Sequence, residues 1–209
     1  MNEPDHIVYV VDDDHRVCEA LFELLSALGM RVVAFQSVAE YAAFPKPDLP
    51  ACLVLDIELP GMSGLDLQRQ LSDMHHPPIV FITGHGDIPS SVRAIREGAV
   101  DFLTKPFSEE ALLQAIKTAL AQDRKDRMLK AELAQLQQRF LRLTPREREV
   151  LPLVVAGLLN KQAAARLGIT KVTLQVHRAQ IMKKMEAESL AELVRMAVKL
   201  KVPLPPASS

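Results

Sequence analysis

The chain has 209 residues, enough for two domains at about 150 residues each, and its net charge of −1 hides a strong asymmetry. Residues 1–122 hold 8 Lys+Arg against 18 Asp+Glu, a net of −10, whereas residues 123–209 hold 17 against 8, a net of +9, so an acidic module is joined to one suited to a polyanion. No apolar run approaches the ~18 residues of a membrane span, the polar start MNEPDH is unlike a secretory signal, and Cys18 and Cys52 sit in apolar segments as expected of core thiols in a reduced, cytoplasmic protein.

In chain order, strands are expected at Ile7–Val11, Arg31–Phe35, Leu53–Asp56, Ile79–Thr83 and Asp101–Thr104, each a short apolar run. Helical spacing occupies Val17–Leu28, Ser37–Phe44, Leu65–Ser72, Pro89–Glu97 and Ser108–Leu120, with Gly29 as the stop of the first. Strands alternating with helices imply βαβ crossovers and a parallel sheet covered on both faces, and near-continuous apolar strands agree with that burial. From about residue 122 to 142 the chain is polar, free of Gly and Pro, and carries Leu129, Leu133, Leu136, Phe140 and Leu143 at spacings of 4, 3, 4 and 3. Two heptads are short for a coiled coil, and a single amphipathic linker helix packed on its own domains is the better expectation. Thr144, Pro145 and Glu147 then form a complete capping box. An all-helical segment follows with breaks near Gly157 and Gly168, and the tail VPLPPASS cannot extend it.

The first strand ends in three consecutive acids, Asp12, Asp13 and Asp14. Later strands end in Asp56, Thr83 and Lys105. In a parallel doubly wound sheet these ends share one edge, where such folds bind ligands. Carboxylates 4 Å apart repel by roughly 4 kcal/mol at an effective dielectric near 20, so protonation or a cation must relieve them. An all-oxygen set suits Mg²⁺, with Mn²⁺ as its substitute. With Lys105 as a point charge and the Thr83 hydroxyl as a donor, the set fits phosphoryl transfer to an aspartate. Asp14 reads as a solvated loop residue. His15, His75, His76 and His85 lack ligand spacing and read as surface residues.

VVDDD, LDIELPGMSG, FITGHGD and DFLTKPF resemble the receiver domain of bacterial two-component response regulators across residues 5–122. The resemblance implies a flavodoxin-like strand order 2-1-3-4-5 and phosphorylation of Asp56 by a sensor histidine kinase. It further implies an acidic pocket of Asp12 and Asp13, with the metal held by Asp13, Asp56 and the Glu58 backbone carbonyl. Thr83 and Lys105 would contact phosphoryl oxygens, Phe102 would be the aromatic switch, and the Lys105–Pro106 bond would be cis.

In the basic half, Ala164, Gly168 and Leu174 have the spacing of a helix-turn-helix. Rotating a second helix over 171–184 by ~100° per residue turns Leu174, His177, Ile181 and Met185 inward, and Val172, Gln175, Val176, Ala179 and Lys183 outward. Lys171, Arg178, Lys183 and Lys184 would grip phosphates while Gln175 meets adenine and Val176 a thymine methyl. LTPREREVL, VVAGLLNKQAA, VHRAQIMKKM and SLAELVRMAV resemble the LuxR-type effector domain. The whole chain thus resembles a FixJ/NarL-class transcription regulator, nearest the FixJ branch. That implies DNA contacts by Lys161, Thr173, Gln175, Val176, Arg178 and Lys183, and a dimer face on the helix near Ser189–Leu200. Val172 stands where the family carries a basic or small polar residue, and Ala163 replaces its Ile.

The expected organisation is a receiver at 1–122, a linker helix at 123–142, a helix-turn-helix domain at 143–203 and a disordered tail at 204–209. The expected function is phosphorylation-gated dimerisation and promoter binding, with RNA polymerase as a further partner and activation as the outcome. A regulator with a phosphorylation-independent receiver is the alternative. A phosphatase of the haloacid-dehalogenase type wants a second Asp where Glu58 stands, and no enzymatic turnover is expected.

Overall fold

The computed structural model describes residues 5–71, 76–84 and 88–204, the side chains of 88–90 excepted. The expected tail beyond 204, His75, His85 and the end of the third helix at Ser72 lie outside the described residues. The chain divides into two compact units, Met1–Arg127 and Met128–Ser209. No helix among the described residues is long and apolar enough to cross a membrane.

The first unit alternates β1 (Ile7–Val11), α1 (His15–Ala27), β2 (Arg31–Phe35), α2 (Val38–Ala43), β3 (Ala51–Asp56), α3 (Gly64–Leu71), β4 (Ile79–Thr83), α4 (Ile88–Arg96), β5 (Asp101–Thr104) and α5 (Glu109–Leu141). All strand pairs are parallel and the sheet order is β2-β1-β3-β4-β5, as the resemblance implied. Because side chains alternate across a strand, β1 feeds two apolar layers. Ile7, Tyr9 and Val11 join Leu53, Leu55 and Phe81 on one face. Val8 and Val10 join Val54, Ile82, Leu112 and Ile116 on the other.

The register pairs Val11 with both Phe35 and Leu55, Asp56 with Ile82, and Thr83 with Thr104, so the polar strand ends lie side by side. Gly64 brings the start of α3 onto this edge. A Cβ there would sit 2.4 Å from the Asp56 carbonyl oxygen, an approach that only glycine permits.

Three elements depart from the sequence reading by two residues or more at an end. β3 starts at Ala51, two residues early, because the Asp123 carboxylate accepts from the Ala51 amide at 2.9 Å. α1 starts at His15 because Asp14 caps it, its Oδ1 accepting from the Arg16 amide at 2.9 Å. The helix expected to end at Leu120 instead runs on as α5 to Leu141, since neither Gly nor Pro interrupts a run of good helix formers.

In the second unit, α6 (Pro145–Val155), α7 (Asn160–Leu167), α8 (Lys171–Met185) and α9 (Leu190–Lys199) enclose a core that includes Leu136, Leu143, Val150, Leu151, Ala164, Leu174, Ile181, Met185 and Leu193. Thr144 and Glu147 close the expected capping box around Pro145. Ala163 and Ala164 are buried, and small side chains there let α7 approach its neighbours. Gly168 ends α7 with φ +66, a left-handed turn that costs glycine little. Of the heptad seam, Leu136, Phe140 and Leu143 pack into this core, while Leu129 and Leu133 are exposed.

Candidate functional site

At the carboxyl edge of the sheet, Asp12 and Asp56 are buried, Asp13 is exposed, and carboxylate oxygens of all three lie within 4.8 Å of one another. Lys105 crosses from the end of β5, its Nζ 2.5 Å from Asp12 Oδ2 and 3.3 Å from Asp56 Oδ2. The Asp14 amide donates to Asp12 Oδ1 at 3.0 Å, and the Glu58 amide to Asp56 Oδ1 at 3.4 Å. Thr83 is fully buried and its backbone carbonyl accepts from the Lys105 amide at 2.7 Å. The Lys105–Pro106 bond is cis. Phe102 lies one strand away, half-buried against the layer containing Phe81 and Leu55.

Burial pushes the Asp12 carboxyl above the usual aspartate range, against the opposing pull of Lys105. Burial likewise acts to lower Lys105, but its contacts with Asp12 and Asp56 win, and its ammonium holds its proton more tightly than a free lysine. Three carboxylates against one ammonium leave an excess of negative charge, and the exposed Asp13 gives solvent a way in. Hard oxygen donors in that arrangement fit a small divalent cation such as Mg²⁺.

The triplet of acids resolves into three jobs. Asp12 accepts from Lys105 and the chain turn, Asp13 faces solvent beside the cluster, and Asp14 caps α1 while pairing with Arg16 at 3.3 Å. Asp14 keeps the solvated loop position expected, its side chain 43% exposed, and in addition caps α1. Its bonds with Arg16 hold its carboxyl below the usual range.

On α8, Leu174, Ile181 and Met185 are buried and His177 is half-buried, whereas Val172, Thr173, Gln175, Val176, Ala179 and Lys183 are exposed. Lys161 on α7 is exposed too. Arg178 is half-buried and donates to Asn160 Oδ1 at 3.2 Å. Lys184 departs from the expected phosphate grip. Its Nζ lies 2.7 and 3.0 Å from the two carboxylate oxygens of buried Glu147, tying α8 to the start of α6. The capping role of Glu147 was legible, but its partner lies 37 residues away with no local pattern to announce it. A second network, which runs from the buried bond between Asp123 and the Ala51 amide through half-buried Arg127 to the exposed carboxylate of Asp48, also lay beyond the sequence reading.

Residues 8–117 match the response regulator receiver domain family, and residues 141–197 match the luxR family of bacterial regulatory proteins. Nodulation protein W of Bradyrhizobium diazoefficiens is 50% identical over 192 residues, covering 91% of this chain and 85% of that protein. The transcriptional regulatory protein FixJ of Rhizobium meliloti is 40% identical over 200 residues, covering 93% and 96%. The solved structure of the response regulator StyR superposes with a TM-score of 0.81 at 47% identity, covering 93% of this chain and 99% of that one. Fold, acidic edge and helix-turn-helix together define a two-component response regulator with a DNA-binding output domain. Within that class the chain belongs to the FixJ/NarL family, a receiver domain joined to a LuxR-type domain.

Proposed function

We propose that Asp56 is the phosphoacceptor, and that its phosphorylation by a cognate sensor histidine kinase controls dimerisation and promoter binding. The observation that carries this is the convergence of Asp12, Asp13 and Asp56 within 4.8 Å, with the Lys105 ammonium 3.3 Å from Asp56. An Asp56 carboxylate oxygen attacks the phosphorus of the kinase phosphohistidine. A P–O bond forms as the P–N bond breaks, and the electron pair returns to the imidazole nitrogen. Lys105 and the Thr83 hydroxyl neutralise charge on the transferred oxygens, a positioning and electrostatic role. Asp12 holds Lys105 in place. Mg²⁺, with Mn²⁺ as substitute, would be held by Asp13, Asp56 and the backbone carbonyl of Glu58, and would supply further charge neutralisation at the phosphoryl group.

Beside the cluster, Val17, Ala20, Leu21 and Leu24 of α1 line an apolar groove of about 590 Å³ with Lys105, Pro106 and Phe107, a surface suited to the docked kinase. Drawing Thr83 and Phe102 toward the phosphoryl group changes the surface of α4 and β5, and that change favours the homodimer. In the dimer, linked half-sites bind by effective concentration. Lys161, Arg178 and Lys183 contact phosphates, and Thr173, Gln175 and Val176 face the bases. The protein acts in the cytoplasm as a transcription activator, with RNA polymerase as its partner at the promoter.

Incubating the chain with acetyl phosphate and Mg²⁺ and measuring its mass and DNA affinity tests the reading. One phosphoryl group and tighter DNA binding are expected, both lost in Asp56→Asn. An Asp56→Asn protein that still responds to the phosphodonor refutes it, as does continuous turnover of the donor.

A further inference from the structure

Val172 and Val176 occupy successive turns of α8 and are 68% and 55% exposed. Neither belongs to the core, which α8 reaches through Leu174, Ile181 and Met185. Folding does not account for them, because β-branched residues are poorer helix formers than alanine and gain nothing from methyl groups left in water. Their surroundings indicate what covers them. Lys171 and Lys183 are exposed on the same helix, and Gln175 lies between the two valines, within a half of the chain that carries a net charge of +9. An apolar pair ringed by cations matches a DNA major groove, where phosphates flank the base edges and the thymine 5-methyl is the apolar group presented.

We propose that Val172 is a specificity-determining residue that packs on a thymine methyl, as the neighbour of Val176 in a two-position apolar readout. The proposal rests on α8 entering the major groove. Four residues of helix rise about 6 Å and base pairs are spaced about 3.4 Å, so the two methyls lie about two steps apart. A valine side chain in a helix is held largely in one χ1 rotamer, so its methyls meet the base with little ordering cost.

The test uses the full-length chain with acetyl phosphate and Mg²⁺. A duplex is selected from a random-sequence library, and each thymine in it is then replaced singly by deoxyuridine, which removes only the methyl. Two thymines about two steps apart should each lose about fourfold in affinity, the weight of one buried methyl-sized contact. Val172→Ala should abolish the sensitivity at one of them and Val176→Ala at the other. Val172→Thr, close to valine in shape, checks that the helix still folds, by thermal unfolding. Full methyl sensitivity at both thymines in Val172→Ala overturns the proposal, as does indifference to every methyl in the unmodified chain, which would point to a protein on this face instead. Failure to select any sequence overturns the DNA-binding reading itself, and this proposal with it.

Discussion

Removing the Asp123 carboxylate should unfasten the receiver at the start of its central strand. β4 begins opposite Leu53, whose amide donates to the Pro78 carbonyl. The Ala51 amide, two residues earlier, points the same way but finds no strand, and Asp123 supplies the acceptor at 2.9 Å. The same oxygen accepts from Arg127 Nε at 2.6 Å, and Asp123 and Ala51 are both buried. Asp123→Ala therefore leaves a buried donor unsatisfied, at about 1–3 kcal/mol. It also removes one of the two carboxylate partners of Arg127, leaving only the exposed Asp48, at up to about 1 kcal/mol more. A loss of about 3 kcal/mol is a large part of a domain's ~5–15 kcal/mol. In a unit of this size it corresponds to roughly 10 °C in the receiver transition. Asp123→Asn, which keeps an acceptor oxygen, should lose less than half as much. Calorimetry of the full chain reads the first effect, and hydrogen exchange at the Ala51 amide reads its location. An Asp123→Ala protein with an unshifted transition and an unchanged Ala51 exchange rate would refute the reasoning.

Glu147→Gln should destabilise the DNA-binding unit by about 3 kcal/mol at neutral pH, because it strips the half-buried Lys184 ammonium of its counter-charge. Burial acts to raise the Glu147 carboxyl, but Lys184 and the Thr144 amide outweigh it and hold the group below its ordinary 4.5. A depressed carboxyl contributes stability that is complete above the ordinary value and is lost as pH falls through the lowered one. The unfolding temperature of the second unit should therefore drop below about pH 4.5, more shallowly in Glu147→Gln, and an identical acid slope in both proteins would contradict this. On DNA, Lys183→Ala should weaken binding to all sequences alike and lower the salt slope by about 1, whereas Gln175→Ala should relax preference at one base by about 1–3 kcal/mol. Equal effects on specific and random duplexes in both variants would undo the assignment of phosphate and base contacts.

The sheet was legible because parallel strands are buried on both faces and so appear as unbroken apolar runs, as IVYVV and IVFIT do. The edge that gathers Asp12, Asp13, Asp56, Thr83 and Lys105 followed from topology, since every parallel strand ends on one side. What escaped were contacts whose partners lie far apart in sequence and obey no period. Asp123 reaches back 72 residues to Ala51, and Lys184 reaches back 37 to Glu147. Lys184 was legible as a cation on a basic helix but not as a neutralised one. The capping role of Asp14 escaped for a different reason. A carboxylate beside an acidic cluster and a carboxylate capping a helix look alike until the first helical residue is fixed, and α1 begins ahead of its first apolar residue, Val17.

The acid cluster is held against folding stability, and that opposition can be measured. Val11 pairs with Leu55 in the register, so Asp12 and Asp56 follow side by side on adjacent strands, with Asp13 beside them and one lysine between. Carboxylate oxygens within 4.8 Å of one another repel by roughly 2 kcal/mol or more per pair at an effective dielectric of about 40. Attraction to Lys105, together with solvent screening of the exposed Asp13, cancels most of the two pair terms that its removal would relieve. Asp13→Asn should therefore stabilise the receiver by about 1 kcal/mol in the presence of a chelator. With Mg²⁺ at about 100 times its Kd the order should reverse, because a ligand that binds only the folded state adds ~2.7 kcal/mol and the variant has given up one of the proposed ligands. Thermal unfolding of the two proteins in EDTA and in Mg²⁺ reads both signs. Curves that keep the same order in the two conditions would mean that the crowded carboxylates are not there for a cation, and the three-acid turn would then be a surface feature of the strand end.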